Sequence, residues 1–152
     1  MYRVILMLLL FPATCFSQNF IGKNKMEIIK AMPDQLQAYD SLANTFSDKD
    51  SLITFTTYAG TSRYTDFSYQ FDRMGKCQIE KIKSGCESCF NDQLDKILEQ
   101  KNFEWKQING NQYVSKFSDQ LLLEIQTDKN AFSLSILRTN WTRELYTMIT
   151  GN

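Results

Sequence analysis

The segment YTDFSYQFD at residues 64–72 decides the fold, because its side chains alternate between apolar and polar. This period of two is typical of a strand with one buried face. The residues of one face are Phe67, Tyr69 and Phe71, and those of the other are Ser68 and Gln70. Residues 73–76 include a glycine and predict a hairpin turn, so residues 77–83 are expected to form the return strand.

Helical patterns precede and follow this hairpin. Asn24 and Glu27 match a capping box that opens a helix, and Pro33 is expected to end it because proline lacks an N–H. The apolar residues Phe90, Leu94, Ile97 and Leu98 share one face of a second predicted helix. A third, short helix is predicted over residues 141–149. Its expected inward residues are Leu145, Met148 and Ile149.

The second half of the chain again favours short antiparallel strands. Asn109-Gly110 is a strong hairpin signal, and residues 121–126 and 132–136 alternate as strands do. The order is therefore a helix and about three strands, then the same again. We predict an α+β domain in which two consecutive helix-then-antiparallel-strands units form a sheet with helices on one face.

The other face of such a sheet is expected to be polar and solvated. Its predicted residues are Ser68, Gln70, Glu80, Glu104, Lys106, Lys116, Glu124 and Gln126. Four of them form the candidate binding face: Glu104, Lys106, Lys116 and Glu124. This composition suits a wet contact with another protein better than an apolar ligand pocket.

The first seventeen residues have the order of a cleavable secretory signal. Arg3 precedes an uncharged apolar run over residues 4–11, and the small side chains of Cys15 and Ser17 follow. The run is too short to span a bilayer, which takes about 20 apolar residues. We expect cleavage between Ser17 and Gln18.

Cleavage there would leave one α+β domain over residues 18–152. An alternative is a lipoprotein acylated at Cys15, which would anchor the protein to a membrane. Pro12 and Thr14 do not match the residues that acylation prefers before the cysteine.

The charge balance and the absence of histidine exclude several functions. The chain has 17 basic and 17 acidic residues, and loss of the leader removes only Arg3. Such a balance gives no electrostatic reason to bind nucleic acid. With no histidine in the sequence, the commonest general base and metal ligand are missing. We therefore predict no catalytic residues, no metal and no cofactor.

The one candidate for chemistry is Cys86-Glu87-Ser88-Cys89, placed between a predicted strand and a predicted helix. A helix start lowers a thiol pKa, whereas the carboxylate of Glu87 would raise it. A structural zinc site would need four ligands, and Cys77, Cys86 and Cys89 provide three.

Strand and helix geometry predicts how the cysteines pair. Residues 77–83 climb away from Cys77 at about 3.3 Å per residue, and the helix from Cys89 returns at only about 1.5 Å. Bonded cysteines need Cα atoms within about 7 Å. We therefore predict a Cys86–Cys89 disulfide and a buried free thiol at Cys77. A shorter strand would instead let Cys77 reach one of the other two.

Two resemblances accompany these patterns. The segment YQFDRMGKC at residues 69–77, with FIGK at 20–23 after the leader, resembles small uncharacterised exported proteins of Gram-negative bacteria. The order of helices and strands is similar to the tandem architecture of β-lactamase-inhibitor proteins. The second likeness is one of architecture and implies no function.

The sequence thus favours an exported, non-catalytic binding module of the periplasm or the cell exterior, without a transmembrane anchor. Its expected partner is another envelope or extracellular protein. The alternative is a small thiol–disulfide redox protein that uses Cys86 and Cys89.

Overall fold

A computed structural model describes residues 19–36, 43–58, 63–129 and 131–151. Within these ranges the chain forms three helices and eight strands. The helices are α1 Lys25–Leu36, α2 Glu87–Leu98 and α3 Arg143–Thr150. The strands are β1 Ala43–Lys49, β2 Leu52–Tyr58, β3 Tyr64–Phe71, β4 Cys77–Ser84, β5 Lys106–Asn109, β6 Gln112–Val114, β7 Leu121–Asp128 and β8 Ala131–Arg138.

All eight strands belong to one antiparallel sheet in the order β1-β2-β3-β4-β8-β7-β6-β5. The prediction of two consecutive helix-and-strand units is therefore wrong, and only the coarse α+β description stands. Strands β4 and β8 pair at the centre of the sheet and join what the sequence suggested were separate units. Without this pairing, β4 and β8 would each have an edge with unbonded backbone N–H and C=O groups. The pairing supplies hydrogen-bond partners for these groups.

The weak pattern of residues 34–50 left a continued helix and a loose strand both open, and the structure places the edge strand β1 in this stretch. It pairs with β2 in register from Lys49 opposite Leu52 to Ala43 opposite Tyr58. Residues 45–49 are all exposed, so the strand has no buried face to impose alternation on its sequence. The pairing with β2 forms it instead.

Helices α1 and α2 pack on one side of the sheet and enclose the main core. The Tyr69 hydroxyl of β3 donates to Met32 Sδ of α1 at 3.3 Å. The rings of Phe90 on α2 and Phe132 on β8 lie 5.7 Å apart. The most buried apolar side chains of this core are Ile28, Met32, Ile53, Tyr69, Leu123 and Leu134.

The capping box of α1 is confirmed, but the predicted end of the helix is wrong. Glu27 N–H donates to Asn24 Oδ1 at 2.9 Å, and Asn24 N–H donates to Glu27 Oε2 at 2.8 Å. The helix continues through Pro33 to Leu36. Proline lacks the N–H of one helical hydrogen bond, yet the described residues stay helical for three residues beyond it.

Helix α3 faces the sheet with a different side from the one predicted. Leu145 and Met148 are 42% and 79% exposed, so the prediction that they point inward is wrong. Tyr146 turns inward instead: its hydroxyl donates to Ser115 O at 3.0 Å, and its ring packs on Phe117. Contact with the strand β5 at the sheet edge, rather than burial in the main core, sets the orientation of this helix.

Candidate functional site

The side of the sheet opposite α1 and α2 presents a row of polar side chains that crosses all eight strands. We call this side the open face. In strand order the row consists of Ser47, Thr54, Ser68, Lys81, Ser135, Glu124, Gln112 and Asn109, which are cross-strand partners. We call these eight residues the polar row. Such partners have Cβ atoms about 5 Å apart, so the row is a continuous strip.

Hydrogen bonds link neighbours at both ends of the polar row. Thr54 Oγ1 and Ser68 Oγ are 3.2 Å apart. Gln112 Nε2 donates to Glu124 Oε1 at 2.6 Å, and Asn109 Nδ2 donates to Gln112 Oε1 at 2.6 Å. The ends of the row are therefore held in place by their own contacts.

A second polar row runs beside the first. It consists of Thr45, Thr56, Asp66, Lys83, Ser133 and Gln126. Asp66 Oδ1 accepts a hydrogen bond from Thr56 Oγ1 at 2.7 Å. Lys81 and Lys83 thus project side by side from the central strand β4. Among the described residues neither lysine forms an ion pair.

An apolar row borders the polar row on its other side. The exposed Gln70 interrupts it between Leu52 and Ile79, and its apolar members are Leu52, Ile79, Leu137, Leu122 and Val114. Val114 is fully buried although it lies outside the main core, whereas the other four are half-buried. The open face therefore combines an apolar strip with two polar strips that include charged groups.

The four predicted binding residues do not all lie on the open face. Lys106 and Glu124 project from it, according to the strand register. Glu104 and Lys116 lie in the loops that flank β5 and β6, where they form an ion pair at 3.7 Å. Lys116 Nζ also lies 4.0 Å from Asp119 Oδ2. The structure thus divides the predicted set into two residues on the face and two beside it.

Glu80, expected on the polar face, points into the core. It is 5% exposed and accepts a hydrogen bond from the Phe20 N–H at 3.2 Å through Oε2. Burial raises the pKa of this carboxyl to about 7, and the Phe20 hydrogen bond opposes the rise. A bulge causes the error: Gln78 is skipped between the pairs Phe71–Cys77 and Gln70–Ile79, and the alternation changes phase.

The structure joins Cys86 to Cys89, as predicted, with Cα atoms 5.2 Å apart. Cys86 is the N-cap of α2, and its Sγ accepts the Cys89 N–H at 3.2 Å. Ser88 Oγ lies 3.3 Å from the same sulfur. The fully buried Ser84 fixes the approach, because its hydroxyl contacts both the N–H and the carbonyl of Cys86 at 3.2 Å. Both cysteines are half-buried, so the bond lies at the surface.

Cys77 is a buried free thiol at the opposite end of β4 from this disulfide, also as predicted. Burial, together with the nearby Glu80 carboxylate, raises the pKa of the thiol to about 12. A thiol that stays protonated is a poor nucleophile and a poor metal ligand. Cys77 therefore belongs to the core rather than to a reactive site.

Three residues named in the sequence predictions fall outside the part of the chain that the structure describes. Ser17 and Gln18, and the alternative Cys15, lie outside the described residues. Among the residues that are described, no group of three or more cysteine or acidic side chains is arranged to hold a metal ion. In the same ranges, no helix is long and apolar enough to cross a membrane.

Comparison with known proteins finds no matching family model, no similar curated protein and no similar solved structure. The chemistry of the open face and of the disulfide therefore carries the proposed function.

Proposed function

We propose that this is an exported, non-catalytic binding module whose open face takes up another envelope or extracellular protein. The observation that carries the proposal is the composition of that face, in which an apolar strip borders two strips of hydroxyl, amide and charged side chains. Protein interfaces combine an apolar centre with polar hydrogen-bonding groups around it. A small-molecule site would instead be concave and largely apolar.

The chemistry of the surface supports a protein as the occupant. Four members of the apolar row are half-buried, so burying them further adds apolar area without exposing a hydrophobic patch in the free protein. The hydroxyl groups of Ser68 and Ser135 flank Lys81 and offer hydrogen bonds to a partner backbone. Export is supported by the signal-like order of residues 1–17 and by the use of a disulfide.

A steric block tests this proposal without changing any charge. Ser135→Trp places an indole at the centre of the open face, and Asn91→Trp places one on the exposed side of α2 as a matched control. Wild type and the control should capture the same protein from an envelope extract, and Ser135→Trp should lose it. If Ser135→Trp captures that protein as well as wild type does, the open face is not the binding surface.

A thiol–disulfide redox protein is the second candidate, and the environment of Cys86 favours it. In the reduced protein, the Cys89 N–H and the start of α2 would stabilise a Cys86 thiolate. The bond joins residues only three apart, so it ties no distant segments together. Exchange with a substrate dithiol would oxidise that dithiol to a disulfide and reduce the Cys86–Cys89 pair by two electrons.

Redox titration against glutathione or dithiothreitol separates this candidate from a structural bond. A redox-active pair should be reduced at potentials above about −300 mV, where structural disulfides remain intact. In Cys89→Ser, the Cys86 thiolate should then attack a substrate disulfide and stay joined to one of its sulfurs as a trapped mixed disulfide, while the other sulfur leaves as a thiolate. A bond that persists at lower potentials is structural, and the candidate fails.

A further inference from the structure

The open face carries a positive charge that the chain as a whole lacks. It holds four lysines against three carboxylates, whereas the complete sequence has 17 basic and 17 acidic residues. The lysines are Lys49, Lys81, Lys83 and Lys106, and the carboxylates are Asp66, Glu124 and Asp128. The face is therefore positive relative to the rest of the molecule.

The three carboxylates already have donors, whereas the central lysines form no ion pair among the described residues. Asp66 is hydrogen-bonded by Thr56 at 2.7 Å, Glu124 by Gln112 at 2.6 Å and Asp128 by the Lys129 N–H at 2.7 Å. Within the described ranges neither Lys81 nor Lys83 is paired with a carboxylate. Lys81 is nonetheless half-buried among the side chains of the polar row. A partner that covers it would remove the remaining water from its ammonium group.

We infer that the partner presents carboxylate side chains to Lys81 and Lys83, with apolar side chains between them that pack on the adjoining apolar row. This inference rests on the proposed function, because it concerns the same face. Burying an ammonium without an opposite charge is costly, and a carboxylate from the partner offsets that cost. Among the described residues, no carboxylate of the open face forms an ion pair with either lysine.

A protein partner is favoured over a nucleic acid by the arrangement of the same charges. Asp66 lies directly across from Lys83, and Glu124 lies two strands from Lys81 along the polar row. A phosphodiester backbone crossing the lysines would approach both carboxylates and be repelled. Separate carboxylate side chains on a folded partner or a peptide can contact the lysines and stay away from Asp66 and Glu124.

A designed peptide tests the inference with a defined probe. The probe is a fluorescein-labelled octapeptide of alternating glutamate and leucine, and its control has glutamine in place of glutamate. The acidic peptide should bind wild type, and K81Q/K83Q should weaken it by about tenfold or more. The matched variant K30Q/K101Q removes two exposed lysines outside the three rows and should stay within about twofold of wild type.

The outcomes separate this inference from the proposed function. Equal binding of the two peptides, or equal weakening by both double variants, overturns the carboxylate inference. If the glutamine peptide binds and Ser135→Trp blocks it, the face still binds protein and only the charge inference fails. If no peptide binds, or an oligonucleotide competes as well as the acidic peptide, the carboxylate inference fails. Unfolding midpoints equal to wild type establish that each variant remains folded.

Discussion

Glu80 is the residue whose environment departs furthest from what its chemistry prefers. A carboxyl that is 5% exposed sits under Phe20 and accepts one backbone N–H. One hydrogen bond is a small replacement for the hydration of a carboxylate, so burial raises the pKa of this group to about 7. The hydrogen bond to Glu80 also holds the segment that leads into α1. The ring of Phe20 adds a second contact there, because it packs edge-on against Tyr69 at 5.3 Å.

Glu80 should make the protein less stable as pH rises toward neutrality. Its pKa is higher in the folded chain than the ordinary value of 4.5, so the folded state binds the proton more tightly. The stabilisation is complete below about pH 4.5 and is lost as pH rises through about 7. Glu80→Gln should therefore raise the free energy of unfolding by about 1–3 kcal/mol at pH 8, relative to wild type, and by little at pH 4.5.

Urea unfolding of wild type and variant at the two pH values measures this difference. Glu99→Gln replaces an exposed carboxyl at the end of α2 and is the control. An equal effect of Glu80→Gln at both pH values would show that the carboxyl is not ionised inside the folded protein.

At the scale of single residues, the sequence identifies local contacts and fails where alternation changes phase. Asn24 and Glu27 form the capping box because both partners lie within one turn of chain. Cys86 and Cys89 pair for the same reason. Glu80 is misplaced because one extra residue, Gln78, moves every later side chain of β4 to the other face. Lys81 and Lys83 were missed as face residues by the same error.

At the scale of elements, the sequence predicts those strands that bury one face against the core. It does not predict elements that lack a buried face. Residues 64–72 alternate because β3 lies against the core, and the Asn109-Gly110 signal does connect β5 to β6. The exposed strand β1 has no such signature, and it forms through pairing with β2. In α3 no residue is fully buried, so the positions of its apolar side chains in the sequence do not indicate which side of the helix contacts the sheet.

Cys86 should stabilise α2 as an N-cap as well as through its disulfide. In a Cys89→Ala background, Cys86→Ser keeps a side chain that can accept the N–H of residue 89, and Cys86→Ala removes it. The serine variant should be more stable by about 1 kcal/mol, the usual value of an N-cap. Chemical denaturation of both variants gives the difference. If the two unfold at the same denaturant concentration, the sulfur contact does not contribute to helix stability.

At the scale of the whole molecule, the pairing of β4 with β8 makes one sheet out of the two halves of the chain. The polar row crosses that junction, with Lys81 on one side and Ser135 on the other. Both halves therefore contribute to the open face, and neither would present it alone. This could not be predicted from the sequence, because nothing in the alternation of a strand specifies which distant strand will pair with it.

The central pairing should also make the two halves unfold together. Leu134 is fully buried on β8, opposite Ile82 of β4 and Ile125 of β7. Leu134→Ala should lower the free energy of unfolding by about 2–5 kcal/mol through the cavity it leaves. Amide hydrogen exchange of Ile53 in β2 and of Leu123 in β7 should then report the same loss, since both strands belong to one cooperative sheet. Met148→Ala, at a side chain that is 79% exposed, is the control and should change neither amide. If only the Leu123 amide loses protection, the halves open independently, and a partner could bind one half of the open face while the other unfolds.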